Sequence, residues 1–233
     1  MNTLQGTIVA VTGAFGALGL VTARVLAQRG AQVALIGRGA APATLPAELA
    51  QACVVDHVDL TDPQAAEVAV ATIVGRFGAL NALVNVAGGF RWETIADGSA
   101  DSWDQMFDVN VKTALNASKA ALSHLTAGGA GRIVNIGAMA ALKAGTGMGA
   151  YTASKSAVMR LTEALADELK DKGVTVNAIL PSIIDTPQNR ADMPQADFAR
   201  WVTSEQIAGV IAFLLSQDAQ CITGALIPVA GRV

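Results

Sequence analysis

Tyr151 is the only tyrosine in the chain, and it stands four residues before Lys155 at the start of an apolar-periodic segment. On a helix, side chains four apart share one face. A free phenol ionises near pH ~10, too high for the phenolate to be common near neutrality. A neighbouring ammonium favours the ionised form and lowers that value. The spacing therefore points to a proton donor, Tyr151, with Lys155 as its electrostatic partner. The competing reading is a tyrosine and a lysine on a solvated helix face.

A second constellation lies near the start of the chain, where Thr12-Gly13-Ala-Phe15-Gly16-Ala17-Leu18-Gly19 follows the apolar run TIVAVTG. Glycines let a backbone turn sharply and approach a pyrophosphate, whose charge is met by the amides opening the next helix. Gly13, Phe15, Gly16, Ala17, Leu18 and Gly19 are the candidates for that contact, with a plain strand-to-helix turn as the alternative. The next strand ends at Gly37-Arg38. An acidic residue there would bind ribose hydroxyls and repel a 2′-phosphate. Glycine leaves room for the phosphate and Arg38 offers a guanidinium to bind it. NADP is the cofactor this favours, with NAD possible and a solvated loop arginine as the bland reading.

These residues must be held by regular elements, and the hydrophobic pattern supplies them. TIVAVTG, AQVALIG, CVVDHVDL, NALVNVAGG, GRIVNIG, VTVNAILP and ALIPVAG read as seven buried strands. Between them run helical segments: LGLVTARVLAQRG ending at Gly30, one opened by Asp62-Pro63, one expected from Ser102 to Gly128, one from Tyr151 to Lys172, and one capped by Thr203 with Gln206. Strands alternating with helices imply a doubly wound Rossmann arrangement, about seven parallel strands with helices on both faces, as one domain over 1–233. Ligands then sit over the carboxyl ends of the strands.

Composition narrows the function classes. Of 233 residues 52% are hydrophobic and 15% charged, which favours a large core over disorder. The net charge of −3 without a basic block argues against nucleic acid as the main partner. No apolar run approaches the roughly 18 residues of a membrane span, and the start shows no signal-peptide pattern, so a cytoplasmic location is expected without a membrane partner. Cys53 and Cys221 have no metal or redox spacing, no metal site is expected, and His57 and His124 read as structural.

Taken together, these motifs resemble the short-chain dehydrogenase/reductase family over almost the whole chain. The resemblance implies a cofactor site of the glycine turn, with Ala17 for the middle glycine, an adenine contact at Asp59 with Leu60 beside it, and the corner Asn85-Val-Ala87-Gly88. It implies that Asn110 anchors a proton-relay water, that Tyr151 and Lys155 serve both catalysis and the cofactor, and that the loop Pro181-Ser182-Ile-Ile184-Asp-Thr186 holds the nicotinamide carboxamide through Ile184 and Thr186. It also implies a homodimer or homotetramer built on the two long helices. A narrower resemblance, in GALG, VAGG, GAMAAL and DTPQNRADMPQADFARW, is to the dihydropteridine reductase branch, which reduces a quinonoid dihydropterin.

One departure shapes the expected chemistry. Thirteen residues before Tyr151, where the family carries a serine hydroxyl, this chain has Ala138. Losing a fixed donor to a developing oxyanion typically costs about 3 kcal/mol. Ser182 and Thr146 are possible substitutes, and Gly137 is not. Three readings follow: a conjugated substrate such as a dihydropterin, whose charge delocalises and needs one acid; a ketone or aldehyde (3-oxoacyl-like) reductase with a substitute hydroxyl; or a non-catalytic dinucleotide-binding sensor. Phe90, Arg91, Trp92, Met139, Met148 and Trp201 are candidates to line the small-molecule substrate side, and Thr186 to Trp201 reads as a mobile lid.

Overall fold

The computed structural model describes residues 3–233. Its main sheet has seven parallel strands: β1 (Ile8–Thr12), β2 (Gln32–Ile36), β3 (Cys53–Val55), β4 (Ala82–Asn85), β5 (Arg132–Ile136), β6 (Thr175–Pro181) and, after a separate two-stranded pair β7 (Ile184–Asp185) and β8 (Val202–Thr203), β9 (Leu226–Val229). The order is β3-β2-β1-β4-β5-β6-β9. The winding direction reverses between β1 and β4, and that switch point opens a crevice at their carboxyl ends.

Alternation along the strands feeds two cores. Val9, Val11, Val33, Leu35 and Val134 join Leu18, Leu26, Ile207 and Ile211 on one face. Ile8, Ala10, Ala34, Ile36 and Ile133 join Ala66, Ile73, Ala121 and Leu165 on the other. The first core is roofed by α1 (Ala17–Gln28) and α7 (Ser204–Leu214), the second by α2 (Pro63–Phe77), α4 (Thr113–Ala127) and α5 (Gly149–Leu169). Strands β1, β4, β5 and β6 are buried throughout, which is why their sequences are continuous apolar runs rather than alternating ones.

Several boundaries differ from those expected. The helix placed at Ser102 starts as α3 (Ala100–Phe107), capped by Ser99, whose hydroxyl accepts from the Ser102 amide. Ser102 lies buried one turn inside; with Ser102 rather than Glu or Gln at the third helical position, Ser99 lacks the reciprocal capping signature. The helix to Gly128 is not continuous either, because a π-turn over Asp108–Lys112 separates α3 from α4. Strand β3 stops at Val55, and the rest of CVVDHVDL is loop, with His57 in the left-handed region at φ 54°. By contrast the Asp62 cap of α2 and the Thr203/Gln206 capping box of α7 form as the spacing predicts.

Candidate active site

A cleft of about 720 Å³ runs across the carboxyl ends of the central strands. At one end, the β1–α1 turn forms its floor. Gly13 has φ 61°, and a Cβ there would lie 2.8 Å from the Ala87 backbone. Thr12 Oγ1 accepts from the Ala87 amide at 3.1 Å, so the turn is seated on the β4 corner. A Cβ on Gly19 would fall 2.2 Å from the Gly13 carbonyl oxygen. Close approach therefore requires glycine at 13 and 19, whereas Ala17 is exposed on the first helical residue and tolerates its methyl.

Helix α1 begins at Gly16 with no side-chain cap and no acid in its first turn. Its leading amides, with Gly16 on the cleft wall, make a site for an anion. Arg38 is exposed, lines the cleft and donates no hydrogen bond to any described residue. Asp59 lies opposite. Its Oδ1 accepts from the Thr61 amide at 2.9 Å and the Thr61 hydroxyl at 2.8 Å. Those two bonds, more than the nearby Arg38 charge, hold its carboxyl below the usual aspartate range. Glycine cradle, uncapped helix and free guanidinium fit a dinucleotide phosphate.

At the other end, α5 presents Tyr151 and Lys155 to the same cleft. Lys155 is buried at 6% exposure, and its Nζ donates to the Ile136 carbonyl at 2.8 Å. Burial pulls the ammonium down to about 8 and pushes the Tyr151 phenol up to about 12. This corrects the electrostatic expectation. Desolvation disfavours both charged forms and is the cause of both shifts. That direction favours the protonated phenol at neutral pH.

Asn110 stands within the π-turn, almost wholly buried. Its Oδ1 accepts from the Gly89 amide at 3.0 Å, and its Nδ2 donates to the Gly89 carbonyl and to Ser154 Oγ at 3.1 and 3.0 Å. Ser154 Oγ in turn donates to the Tyr151 carbonyl at 2.7 Å. The π-turn thus locks the Gly89 corner and the first turn of α5 to one amide side chain. A Cβ on Gly88 would lie 2.6 Å from Asn110 Oδ1 and 3.3 Å from Lys155 Nζ, so the three meet at a point.

Of the expected site residues, Gly13, Phe15, Gly16, Leu18, Gly19, Arg38, Asp59, Leu60, Ala87, Gly88, Tyr151, Lys155, Pro181 and Ile184 line the cleft. Ala17, Asn85, Asn110 and Thr186 are not on its wall. Asn85 is buried beneath, donating from Nδ2 to Ser118 Oγ and Asn135 Oδ1 at 3.0 and 2.8 Å. Asn135 continues the chain to Thr162 at 2.8 Å. This buried polar chain ties β4, β5, α4 and α5 together, and its members other than Asn85 were not singled out in the sequence. Thr186 caps the short helix α6 (Pro187–Asp192) by accepting from the Asn189 amide.

The substrate end also differs from expectation. Phe90 meets the Tyr151 ring edge-on, with centroids 4.9 Å apart. Trp92 is exposed and covers Gly147, where a Cβ would strike its ring. Trp201 is 6% exposed and packs on Phe198, so it belongs to the core. The expected lid is tethered as well: Arg190 forms a two-pronged pair with Asp185 at 2.6 and 2.8 Å and stacks over Phe198. Ala138 is buried in extended backbone. Neither suggested substitute replaces its hydroxyl: Ser182 lines the cleft but donates to the Ala230 carbonyl at 2.6 Å, and Thr146 is exposed away from the cleft wall.

Parallel doubly wound sheet, glycine cradle and a half-buried tyrosine with a buried lysine one turn on define an NAD(P)-dependent oxidoreductase of the dinucleotide-binding α/β class. Residues 7–197 match the short chain dehydrogenase family, and the chain belongs to it. It is 30% identical to a 3-oxoacyl-(acyl-carrier-protein) reductase, FabG, of Vibrio cholerae, covering 98% of this chain and 97% of the relative. A D-beta-hydroxybutyrate dehydrogenase of Rhizobium meliloti is 34% identical over 84% of this chain and 79% of its own. Among solved structures, NAD+-bound xylitol dehydrogenase superposes with a TM-score of 0.90 at 29% identity, covering 98% of this chain and 99% of that one. Carveol dehydrogenase from Mycobacterium avium in complex with NAD gives 0.85 at 27%, with 99% and 98% covered. No helix among the described residues is long and apolar enough to cross a membrane.

Proposed function

We propose that the chain reduces a dihydropterin-like or other conjugated small molecule, with NADP favoured over NAD and Tyr151 as the sole side-chain acid. The observation that carries this reading is a buried methyl, Ala138, at the position where the family pattern has a serine, with Ser182 turned to the Ala230 carbonyl. A carbonyl that becomes alkoxide-like is reduced about a hundredfold or more slowly without a second fixed donor. A conjugated ring spreads the charge over several atoms, and one acid then suffices. Phe90, edge-on to Tyr151, supplies an aromatic wall for a flat substrate.

The chain's own residues divide the work. The amides opening α1 and the glycines at 13, 16 and 19 would hold the pyrophosphate, Asp59 the adenine end, Arg38 a 2′-phosphate, and Lys155, Ile184 and Thr186 the nicotinamide riboside. When bound, the nicotinamide supplies hydride. Tyr151 Oη holds the proton that the product receives, and burial keeps it there. Lys155 orients the ribose and stabilises the phenolate left after transfer. Asn110 positions the Gly89 corner and the Tyr151 turn, and on this reading anchors the relay that returns the proton. The catalytic unit would be a homodimer or homotetramer.

The second reading, reduction of a ketone or aldehyde of 3-oxoacyl type, is supported by the FabG relative. Initial rates with NADPH and NADH on quinonoid dihydropterin, and on small ketones and 3-oxoacyl thioesters, separate the two. Turnover of the pterin with little on ketones supports the first. Ketone turnover that rises in Ala138→Ser supports the second, and cofactor binding with no turnover in a broad reductase screen favours a sensor.

A further inference from the structure

Gly37, at the end of β2, does not have a positive φ, so its backbone would accept any residue. Space forbids it. A Cβ at this position would lie 2.1 Å from Phe15 Cδ2, 2.2 Å from Cε2 and 2.8 Å from Cγ. The room that glycine leaves is therefore filled by the Phe15 ring rather than left open for a phosphate.

Neither partner can step aside along the backbone. The Gly37 amide donates to the Val55 carbonyl at 3.1 Å, and its carbonyl accepts from the Val58 amide at 3.0 Å. On the other side, the Ala14 amide donates to the Ile36 carbonyl and the Gly16 amide to the Gly13 carbonyl, both at 3.1 Å, which fixes the turn carrying Phe15. Phe15 is half-buried and packs against the core that contains Leu18 and Leu35. It also forms cleft wall together with Arg38 and Asp59. Any side chain at 37 must displace the ring, and the ring lines the volume assigned to the adenosine ribose.

We propose that Phe15 and Gly37 are an interlocked pair that determines cofactor choice: the ring occupies the volume an acidic, ribose-binding side chain would need, leaving Arg38 to read that end. The proposal rests on the cleft binding a dinucleotide with its adenosine half at Arg38. It makes position 15 the lock on any change of preference at position 37. Phe15→Ser opens the volume, and only then can a carboxylate at 37 reach the ribose hydroxyls.

The test is a double-mutant cycle on the purified protein, reading NADPH and NADH affinity by nicotinamide fluorescence. Gly37→Asp alone is expected to lose at least tenfold in affinity for both cofactors. Phe15→Ser/Gly37→Asp is expected to recover NADH binding at least tenfold over Gly37→Asp while NADPH stays weak. Gly37→Asp that gains NADH affinity as well alone as in the double variant would overturn the proposal. A ligand-free cycle guards against misfolding: Gly37→Ala should lower the melting temperature, and Phe15→Ser should restore it in the pair. A Gly37→Ala protein melting like wild type would also overturn it. Wild-type protein that binds neither dinucleotide would refute the underlying cleft assignment, and the melting cycle would still decide whether the two positions interlock.

Discussion

The two halves of the cleft are built on different physics. The phosphate half is backbone: a turn that needs Gly13 and Gly19, helix amides without a side-chain cap, and a corner seated through Thr12. The reactive half is side chains drawn out of water: an ammonium and a carboxamide buried beside Gly88, with the half-buried Tyr151 phenol on the same cleft. Excluded volume governs the first half. Desolvation governs the second, where it sets the phenol near 12 and the ammonium near 8. A site of the first kind fails through added atoms, and one of the second through changed charge.

The sharpest separation between the halves is expected at the glycines. Gly19→Val places a Cβ 2.2 Å from a carbonyl that cannot retreat. We expect dinucleotide binding to be lost altogether and stability to fall by about 2–4 kcal/mol, read by calorimetry and denaturant unfolding. Gly88→Ala acts on the other half, pushing Asn110 and Lys155 apart, with kcat expected to fall about a hundredfold and the melting temperature by only a few degrees.

Lys155→Met should give the opposite sign on stability. The buried ammonium is disfavoured at neutral pH, so its removal is expected to stabilise by about 1–2 kcal/mol, net of leaving the Ile136 carbonyl unpaired, while activity is lost. The linkage follows the same sign. With a folded value near 8 and an unfolded value near 10.5, the unfolded chain binds more protons between those pH values, and stability rises as pH climbs through that window. Activity moves the other way. Reductive kcat/KM should be flat near neutrality and fall above about pH 8 as Lys155 loses its charge, and Lys155→Arg should shift that limb upward. The smallest effect is expected at Arg38: Arg38→Gln should weaken NADPH about tenfold and NADH little.

The same contrast explains what the sequence made legible. Strand and helix order, the Asp62 and Thr203 caps and the glycine turn follow from local spacing, which is how excluded volume is written into a chain. The π-turn at Asn110, the Ser118–Asn85–Asn135–Thr162 chain and the Phe15–Gly37 contact join residues distant in sequence, and no local period reports them. Tyr151 and Lys155 were found by spacing, but the direction of the phenol's shift was misjudged. Charge proximity is visible in a four-residue interval, and burial is not. Trp201 misled for a related reason, since an aromatic in a polar stretch reads as a cleft wall until its packing on Phe198 is seen.

The central claim is that the half-buried, protonated Tyr151 phenol is the one side-chain acid of this site. Single-turnover hydride transfer, followed by loss of nicotinamide absorbance at saturating cofactor, tests it in Tyr151→Phe against wild type. The account predicts a fall of at least a hundredfold with cofactor affinity within threefold of wild type. Transfer at the wild-type rate in the phenylalanine variant would contradict it.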